Sequence, residues 1–225
     1  AVRGPEISRP FERIVDEVER VAAAGTSEVT LLGQNVNSYG RDLALERRRA
    51  GEDVRVRPMF SELLRAVGAV EGIRRVRYTS PHPKDLRPET ISAMAEVDAV
   101  CEHLHLPLQA GSDRVLAAMH RGYTAQRYLE RLAAARAEIP DLAVTTDIIV
   151  GFPGETDDDF ERTLEVAAAA EYDSAYTFIY SPRPGTEATE KGLALVDPDV
   201  IADRFERLRV VVERSGLAKH QARVG

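Results

Sequence analysis

The 225-residue sequence contains a single cysteine, Cys101, and no apolar run long enough to cross a membrane. One cysteine cannot form a disulfide within the chain, and it cannot supply a chelating cysteine cluster. A membrane-spanning helix needs about twenty mostly apolar residues, so the sequence predicts no membrane partner. No charged and apolar leader segment is visible either, which makes the cytoplasm the default location.

An excess of positive charge is also absent, because the formal net charge is -7 at pH 7. A negative net charge argues against a basic surface that binds nucleic acid over the whole molecule, although a local basic patch stays possible. The segment 41–57 carries six arginines against four acids. We interpret it as a polar loop whose arginines would suit phosphate contacts if RNA is a substrate. With 44% apolar and 30% charged residues, the composition is ordinary for a globular protein with a full core.

Strand-like and helix-like segments alternate along the chain. Strands are predicted at 28–33, 73–80, 101–108, 142–150 and 174–181. Helices are predicted at 10–25, 59–70, 87–97, 113–120, 124–139, 156–170 and 198–222. The strands are mostly continuous apolar runs, which is typical of parallel strands buried on both faces within βαβ units. The helix that precedes the first strand predicts a missing strand upstream, and therefore six βα units.

Polar and turn residues follow every predicted strand, in the sequences GQNVN, PHP, QAGSD, GFPGE and PRPGT. Catalytic residues of parallel α/β barrels gather at the carboxyl ends of the strands, so five such loops on one rim indicate a site. Asp147 lies inside an apolar strand and needs either a structural arginine or a polar ligand, of which the ligand is favoured. Gly151 and Gly154 shape the following turn, allow a ligand to approach the backbone, or do both.

Two histidines, His103 and His105, project to one face of a predicted strand. His-x-His on a barrel strand is a ligand pattern of some metal hydrolases, but such sites need further ligands on other strands. Of the remaining histidines, only His82 lies at a strand end. Hydrogen bonding inside a polar barrel is therefore the favoured interpretation, and a metal-hydrolase barrel is the outsider.

Six motifs occur in the order RGPEISRP, EVTLLGQNVNSYG, YTSPHP, HLHLPLQAGSDRVLAAMHRGYT, TDIIVGFPGET and FIYSPRPGT. In this order and spacing the chain resembles, from end to end, the methylthiotransferases of the radical S-adenosylmethionine (SAM) superfamily. GQNVNSYG is similar to the tRNA-modifying branch, whereas a sister branch that modifies an aspartate of a ribosomal protein usually has an acid in place of Asn35. That sister activity stays open, as does a cluster-free barrel that binds SAM or RNA without chemistry.

The resemblance implies an α/β fold, the radical SAM partial (β/α)6 TIM-like barrel, here lacking its first strand and cluster loop. It implies that a 4Fe-4S cluster cleaves SAM to a 5′-deoxyadenosyl radical, which attacks C2 of N6-isopentenyladenosine beside the tRNA anticodon. A second 4Fe-4S cluster would carry the inserted sulfur, and a second SAM would supply the methyl group. The protein positions these cofactors. An electron donor such as flavodoxin or ferredoxin and a monomeric state are implied with the tRNA substrate.

The resemblance also carries over a set of SAM-binding positions: Gln34, Ser80, Gln109, Arg121, Asp147, Ile149, Gly151 and Ser181. Asp147 and Ile149 match the acid and isoleucine that meet the ribose and adenine, and Gly151 permits close approach. Arg121 matches an arginine that pairs with the SAM carboxylate, a contact that suits a guanidinium.

The other positions match by their place at strand ends. Gln34 stands where many superfamily members have a glutamate that receives the SAM amino group, and Ser80 stands where they often have a ribose-binding acid. Gln109 matches the glutamine of the next strand, and Ser181 lines the end of the last one. Arg183 could face the substrate. No residue of this chain is assigned to catalysis or to a metal.

The family's CxxxCxxC motif, which lies just upstream of RGxExSR, is not in the sequence, and Cys101 cannot replace three cysteines. We therefore expect residues 1–225 to be a truncated radical SAM core domain. The N-terminal methylthiotransferase domain and the C-terminal TRAM domain of the family would lie outside it. By itself the chain is expected to be catalytically inactive and to bind SAM weakly.

Overall fold

The computed structural model describes residues 7–183, 185 and 192–224. In this part of the chain, helices alternate with parallel strands, as the sequence predicts. The chain divides into two compact units. Unit 1 contains the residues up to His103 together with Ala135–Leu142, and unit 2 contains Leu104–Ala134 and the residues from Ala143 onward.

Unit 1 is built around two parallel strands and the helices that cover them. Its elements are α1 Phe11–Ala23, β1 Glu28–Leu31, α2 Arg41–Arg49, α3 Phe60–Gly68, β2 Arg75–Tyr78 and α4 Pro88–Glu96. Val76 in β2 also forms a parallel bridge with Val100. The apolar face of α3 supplies the core, where the rings of Phe60 and Tyr78 meet edge to face at 5.0 Å between centroids. Buried apolar area of this kind is the main stabilising contribution in such a unit.

Unit 2 begins at Leu104, within strand β3. The remaining elements are β3 His103–His105, α5 Asp113–Ala118, α6 Ala125–Glu138, β4 Ala143–Val150, α7 Asp157–Ala170, β5 Ser174–Ile179 and α8 Pro198–Ala222. They lie in unit 2, apart from His103 and the end of α6 from Ala135 onward, which lie in unit 1. The strand order is β3-β4-β5, and β4 and β5 run parallel. Helix α6 is capped by Thr124, as predicted, since its hydroxyl accepts a hydrogen bond from the Arg127 N–H at 3.2 Å.

Strand β4 is buried on one face only. Val144, Thr146, Ile148 and Val150 are buried, whereas the alternate residues, among them Asp147 and Ile149, are partly exposed. The expectation that the strands are buried on both faces was therefore wrong for β4. Thr145 and Asp147 are polar, and the pleat puts them on one face.

The segment 41–57 was also interpreted wrongly, because its first half is helix α2 and not a loop. Leucine, alanine, glutamate and arginine are all strong helix formers. Ala44 is buried, and the arginines at 47–49 occupy the last turn, where positive charge is favourable to the helix dipole. Most residues of this helix are charged and only Ala44 is buried, so its sequence shows almost no apolar pattern that would predict a helix. No helix in the described part of the chain is long and apolar enough to cross a membrane.

Candidate functional site

Three of the predicted SAM-binding residues meet through their backbones in unit 2. The N–H of Gln109 donates to the Asp147 carbonyl at 2.8 Å, and the N–H of Ile149 donates to the Gln109 carbonyl at 2.9 Å. Gln109 adopts the left-handed conformation, with φ of 67°. That conformation costs a residue with a side chain about 1–2 kcal/mol, so its surroundings must hold it there.

Buried hydroxyl groups hold the backbone that leads to Gln109. The Thr146 hydroxyl donates to the Leu106 carbonyl at 2.8 Å and accepts from the Leu108 N–H at 2.9 Å. The Tyr128 hydroxyl donates to the Leu106 carbonyl at 2.8 Å, and the Tyr123 hydroxyl donates to the Leu108 carbonyl at 2.9 Å. Burial raises the pKa of the Tyr123 phenol, so it stays a donor at neutral pH. The segment after β3 therefore has a fixed geometry.

The protein partner of Asp147 is a histidine. His105 Nε2 lies 3.4 Å from Asp147 Oδ2, and the Asp147 side chain keeps 27% of its surface exposed. The other ring nitrogen of His105, Nδ1, lies 3.0 Å from the Thr145 hydroxyl. The interpretation of His105 as a hydrogen-bonding residue is confirmed, and no structural arginine is needed for Asp147. Among the described residues, no group of three histidine, cysteine or acidic side chains could hold a metal ion.

Arg121 follows α5, and one nitrogen of its guanidinium has no partner among the described residues. Its Nε is buried and makes no hydrogen bond within the described part of the chain. Buried polar groups normally have partners, so an unsatisfied N–H is expected to bind a ligand or water. Binding of the SAM carboxylate by Arg121 stays a prediction.

Gly151, at the end of β4, begins a tight turn that packs on α8. Its φ is 77°, and a Cβ there would lie 2.8 Å from the Ile201 side chain. Its N–H donates to the Glu155 carboxylate at 2.9 Å. Both the backbone conformation and the contact with α8 require glycine here. Its close approach to SAM stays a prediction.

A buried ion pair supports the same turn. Glu155 Oε2 lies 2.9 Å from Arg204 Nη1 of α8, and the two side chains are 1% and 4% exposed. Burial raises the pKa of Glu155, while the Gly151 N–H and Arg204 oppose that shift. The sequence near either residue does not predict this pair, because the two residues are 49 positions apart.

The loops after β3 and β4 are tied together by the buried carboxylate of Asp159. Ser112 and Thr156 donate their hydroxyl hydrogens to it at 2.5 and 2.6 Å, and Arg114 forms an ion pair with it. Arg114 also donates to the Gly154 carbonyl at 2.6 Å. Burial alone would raise the pKa of Asp159, but the hydrogen bonds from Arg114, Ser112 and Thr156 hold it well below its usual range. The Thr-x-x-Asp capping pattern was visible in the sequence, whereas the contribution of the loop after β3 was not.

In unit 1, the loops after β1 and β2 are also joined. The buried Asn37 side chain donates to the His82 carbonyl at 3.0 Å and accepts from the His82 N–H at 2.8 Å. The Val36 N–H donates to the carbonyl of Ser80, which has a φ of 59°. Gln34 is exposed on the first of these loops. The structure therefore brings the GQNVN and PHP loops together, as their strand-end positions predicted.

A cavity of about 680 Å³ opens beside these loops, and Gln34, Asn35, Arg41 and Lys84 help to line it. The Asn35 amide donates to the Asp85 carboxylate at 2.8 Å, and its Oδ1 is buried without a partner in the described residues. An acidic side chain at position 35 would place two negative charges side by side, which is unfavourable.

The predicted site residues are thus divided between the two units. Gln109, Arg121, Asp147, Ile149, Gly151 and Ser181 belong to unit 2, and Gln34 and Ser80 belong to unit 1. Ser181 and Arg183 are exposed after β5. Parts of two motifs, residues 3–6 of RGPEISRP and residues 184 and 186 of PRPGT, lie outside the described residues.

The sequence model of the radical SAM superfamily matches residues 1–167. The chain belongs to the radical SAM superfamily. This radical SAM chain is 50% identical over 225 residues to a protein of Moorella thermoacetica, covering 100% of this chain and 48% of that one. It is 50% identical over 224 residues to a protein of Caldicellulosiruptor saccharolyticus, covering 100% and 45% of the two chains. Both are named tRNA-2-methylthio-N(6)-dimethylallyladenosine synthase. The chain spans about half the length of these curated relatives, and the resemblance drawn from its motifs is confirmed.

Solved structures show the same fold at low sequence identity. Coproporphyrinogen III oxidase from Escherichia coli, a radical SAM enzyme, aligns with a TM-score of 0.59 at 17% identity, over 92% of this chain and 46% of that one. An archaeal Elp3 from Methanocaldococcus infernus aligns with a TM-score of 0.52 at 14% identity, over 88% and 49% of the two chains. The predicted fold class, the α/β partial barrel of the radical SAM superfamily, is confirmed.

Proposed function

We propose that this chain is the SAM-binding core of a tRNA methylthiotransferase, which adds a methylthio group to C2 of N6-isopentenyladenosine beside the anticodon. Relatives of that name are about 50% identical across the whole of the chain. The observation that carries the proposal is the convergence of Gln109, Asp147 and Ile149 on one short stretch of paired backbone. Such convergence of polar and apolar groups at strand ends is what a bound nucleoside requires.

The side chains of unit 2 fit SAM. The part-exposed Asp147 carboxylate can accept hydrogen bonds from a ribose, and His105 would hold that carboxylate in place. The guanidinium of Arg121, whose buried Nε has no partner in the described residues, would bind the SAM carboxylate. When bound to a reduced 4Fe-4S cluster, SAM supplies the radical that activates the substrate. Cys101 is the chain's one cysteine, so the ligands of both clusters would lie outside these 225 residues.

The proposal extends to the wider context of the enzyme. Residues 1–225 would be the radical SAM core domain, accompanied by a methylthiotransferase domain and a TRAM domain. The complete enzyme would act as a monomer in the cytoplasm, take electrons from flavodoxin or ferredoxin, and contain two 4Fe-4S clusters. Its substrate would be tRNA.

The pairing of Asn35 favours tRNA over a ribosomal protein as the substrate. The neutral amide of Asn35 donates to Asp85. An acidic residue at position 35, as is typical of the ribosomal-protein branch, would instead repel Asp85. The contacts of this loop therefore favour asparagine at position 35.

A chimera tests the proposal: this chain replaces the matching segment of the Moorella thermoacetica relative, and reconstituted protein is assayed on tRNA by mass spectrometry. We expect the 2-methylthio product, and we expect Asp147→Ala and Arg121→Ala to abolish measurable SAM binding. Asp158→Ala, an exposed acid on α7, is the matched control and should bind SAM normally. Modification of an aspartate of a ribosomal protein, with no product on tRNA, would contradict the proposal and assign the chain to the branch that modifies ribosomal protein. SAM binding with neither product would indicate a non-catalytic barrel.

A further inference from the structure

Two exposed aromatic side chains lie on β5. Tyr176 is 65% and Phe178 50% exposed. No other aromatic residue in the described part of the chain is exposed. A single exposed apolar side chain is ordinary on a protein surface. Two exposed aromatic rings at alternate positions of one strand lie on the same face, and such a pair suggests a binding surface.

The register of the sheet places these rings beside the predicted SAM site. Tyr176 pairs with Asp147 and Phe178 pairs with Ile149 in the parallel ladder of β4 and β5. Paired residues of neighbouring parallel strands project to the same face of a sheet. The two rings therefore share a face with the Asp147 carboxylate.

The order of the strands separates the rings from the groups that would hold SAM. The order is β3-β4-β5, so β5 lies on one side of β4. Gln109 and Arg121 both follow β3 in the chain, and the Gln109 backbone is bonded to β4 from the β3 side. Ser181, the predicted SAM contact that follows β5, lies beyond the end of that strand. A ligand held by Gln109, Asp147 and Arg121 that reaches Ser181 would leave the face of β5 itself open to a second molecule.

Stacking is the chemistry that two such rings offer. Residues two apart on a strand are about 7 Å apart, which lets one planar base contact both rings. Exposed aromatic side chains on a sheet surface are how proteins stack unpaired bases of RNA. The absence of charge on either ring also suits a base that carries an apolar substituent, such as the dimethylallyl group in the relatives' name.

We propose that Tyr176 and Phe178 form a stacking platform for the adenine base of the RNA substrate, holding it beside SAM. This inference rests on the proposed function and names the residues that would bind the substrate base. Tyr176 lies beside the ribose-binding Asp147, so the base would sit next to the reacting part of SAM.

The test measures two dissociation constants in the chimera described above. One is for an anticodon stem-loop RNA that carries N6-dimethylallyladenosine, and the other is for SAM. We expect Tyr176→Leu and Phe178→Leu each to raise the Kd for RNA about tenfold, the effect of losing one stacked ring, and to leave the Kd for SAM unchanged. Tyr176→Phe and Phe178→Tyr should restore parental RNA affinity, because they keep the ring.

Ile179→Ala is the matched control. Ile179 is 52% exposed on the same strand but pairs with Val150, so it projects to the opposite face. Equal loss of RNA affinity in this variant, or a lowered melting temperature in the leucine variants, would show a structural role and overturn the platform.

Two further outcomes distinguish the sources of failure. A raised Kd for SAM with an unchanged Kd for RNA would assign the rings to the adenine of SAM and overturn the proposal. A parent chimera that binds SAM but no RNA would contradict the proposed tRNA function itself.

Discussion

The loops after β1 and β2 in unit 1 and those after β3 and β4 in unit 2 are tied together by different chemistry. In unit 2, the buried carboxylate of Asp159 collects hydrogen bonds from both loops, and Glu155 pairs with Arg204 beneath the turn. In unit 1, the neutral amide of Asn37 joins the loops, and Asn35 adds a bond to Asp85.

The difference concerns how firmly each pair of loops is held. Hydrogen bonds to ionised groups are roughly twice as strong as neutral ones, and a buried charge that loses its partner is strongly destabilising. The loops after β3 and β4 in unit 2 are therefore expected to be rigid. The loops of unit 1 are joined by the neutral amide of Asn37 and by a single bond to a carboxylate, that of Asn35 to Asp85. They border a cavity of about 680 Å³ and are expected to move more readily.

The largest effect is expected from Arg204→Met, which leaves the Glu155 carboxylate buried without its charged partner. The free energy of unfolding should fall by about 3–5 kcal/mol, measured by chemical denaturation. Arg207→Met is the control, since Arg207 also stacks on Phe160 but pairs with Glu161 at the surface, and should cost about 0–1 kcal/mol. Equal losses for the two variants would contradict the importance of the buried pair. Adding Glu155→Leu to Arg204→Met should recover part of the loss.

Next in size is a comparison of two glycines, one in each loop pair. A Cβ at Gly111 would lie 2.5 Å from the Thr163 Cα, whereas one at Gly33 would lie 3.3 Å from the Val36 Cα. Gly111→Ala should cost about 3 kcal/mol by overpacking a fixed backbone, and Gly33→Ala should cost less than about 1 kcal/mol because its loop can shift. Thermal unfolding of both variants checks this, and the reverse ranking would show unit 1 to be the more rigid.

Asp159→Asn should cost about 2 kcal/mol at neutral pH, because it removes a charge that Arg114 and two hydroxyls bind. The pKa of Asp159 is lowered from its ordinary value of 3.8, so its contribution is complete above that value. As the pH falls through 3.8 towards the folded-state pKa, the wild-type chain should lose this stability and the gap to the variant should narrow. Denaturation at several pH values measures the gap, with the exposed Asp158→Asn as control. A gap independent of pH would contradict the ionised state of Asp159.

The smallest effect is expected in unit 1. Asn37→Ala removes both bonds to the His82 backbone and should cost about 1–2 kcal/mol. Hydrogen exchange should speed up in residues 79–86 and stay unchanged in residues 151–159. Faster exchange in both segments would show that the two loop pairs are not held independently.

Much of the fold was predictable because it depends on local pattern. Each of the five predicted strands and seven predicted helices has a counterpart in the described residues, although β3 is reduced to His103–His105. Helix α2 was not predicted because its residues are mostly charged. A helix with a single buried alanine has almost no apolar periodicity to detect.

The candidate site was predictable from motifs as a set of positions, but not as a set of contacts. Asp147 and Gln109 were predicted as site residues, yet the bond between their backbones and the contact of Asp147 with His105 were not predicted. Sequence patterns report which side of a strand a residue occupies, and they do not report its neighbour across the sheet.

By itself, the sequence determined the alternation of strands and helices, the polar loops at the strand ends and the motifs of the superfamily, because these depend on neighbouring residues. Only the tertiary structure decided which groups share a bond, since Asn37 and His82 are 45 positions apart and Glu155 and Arg204 are 49 apart. It also decided that Tyr176 lies beside Asp147, because the register of two parallel strands is fixed by packing between the helices that cover them.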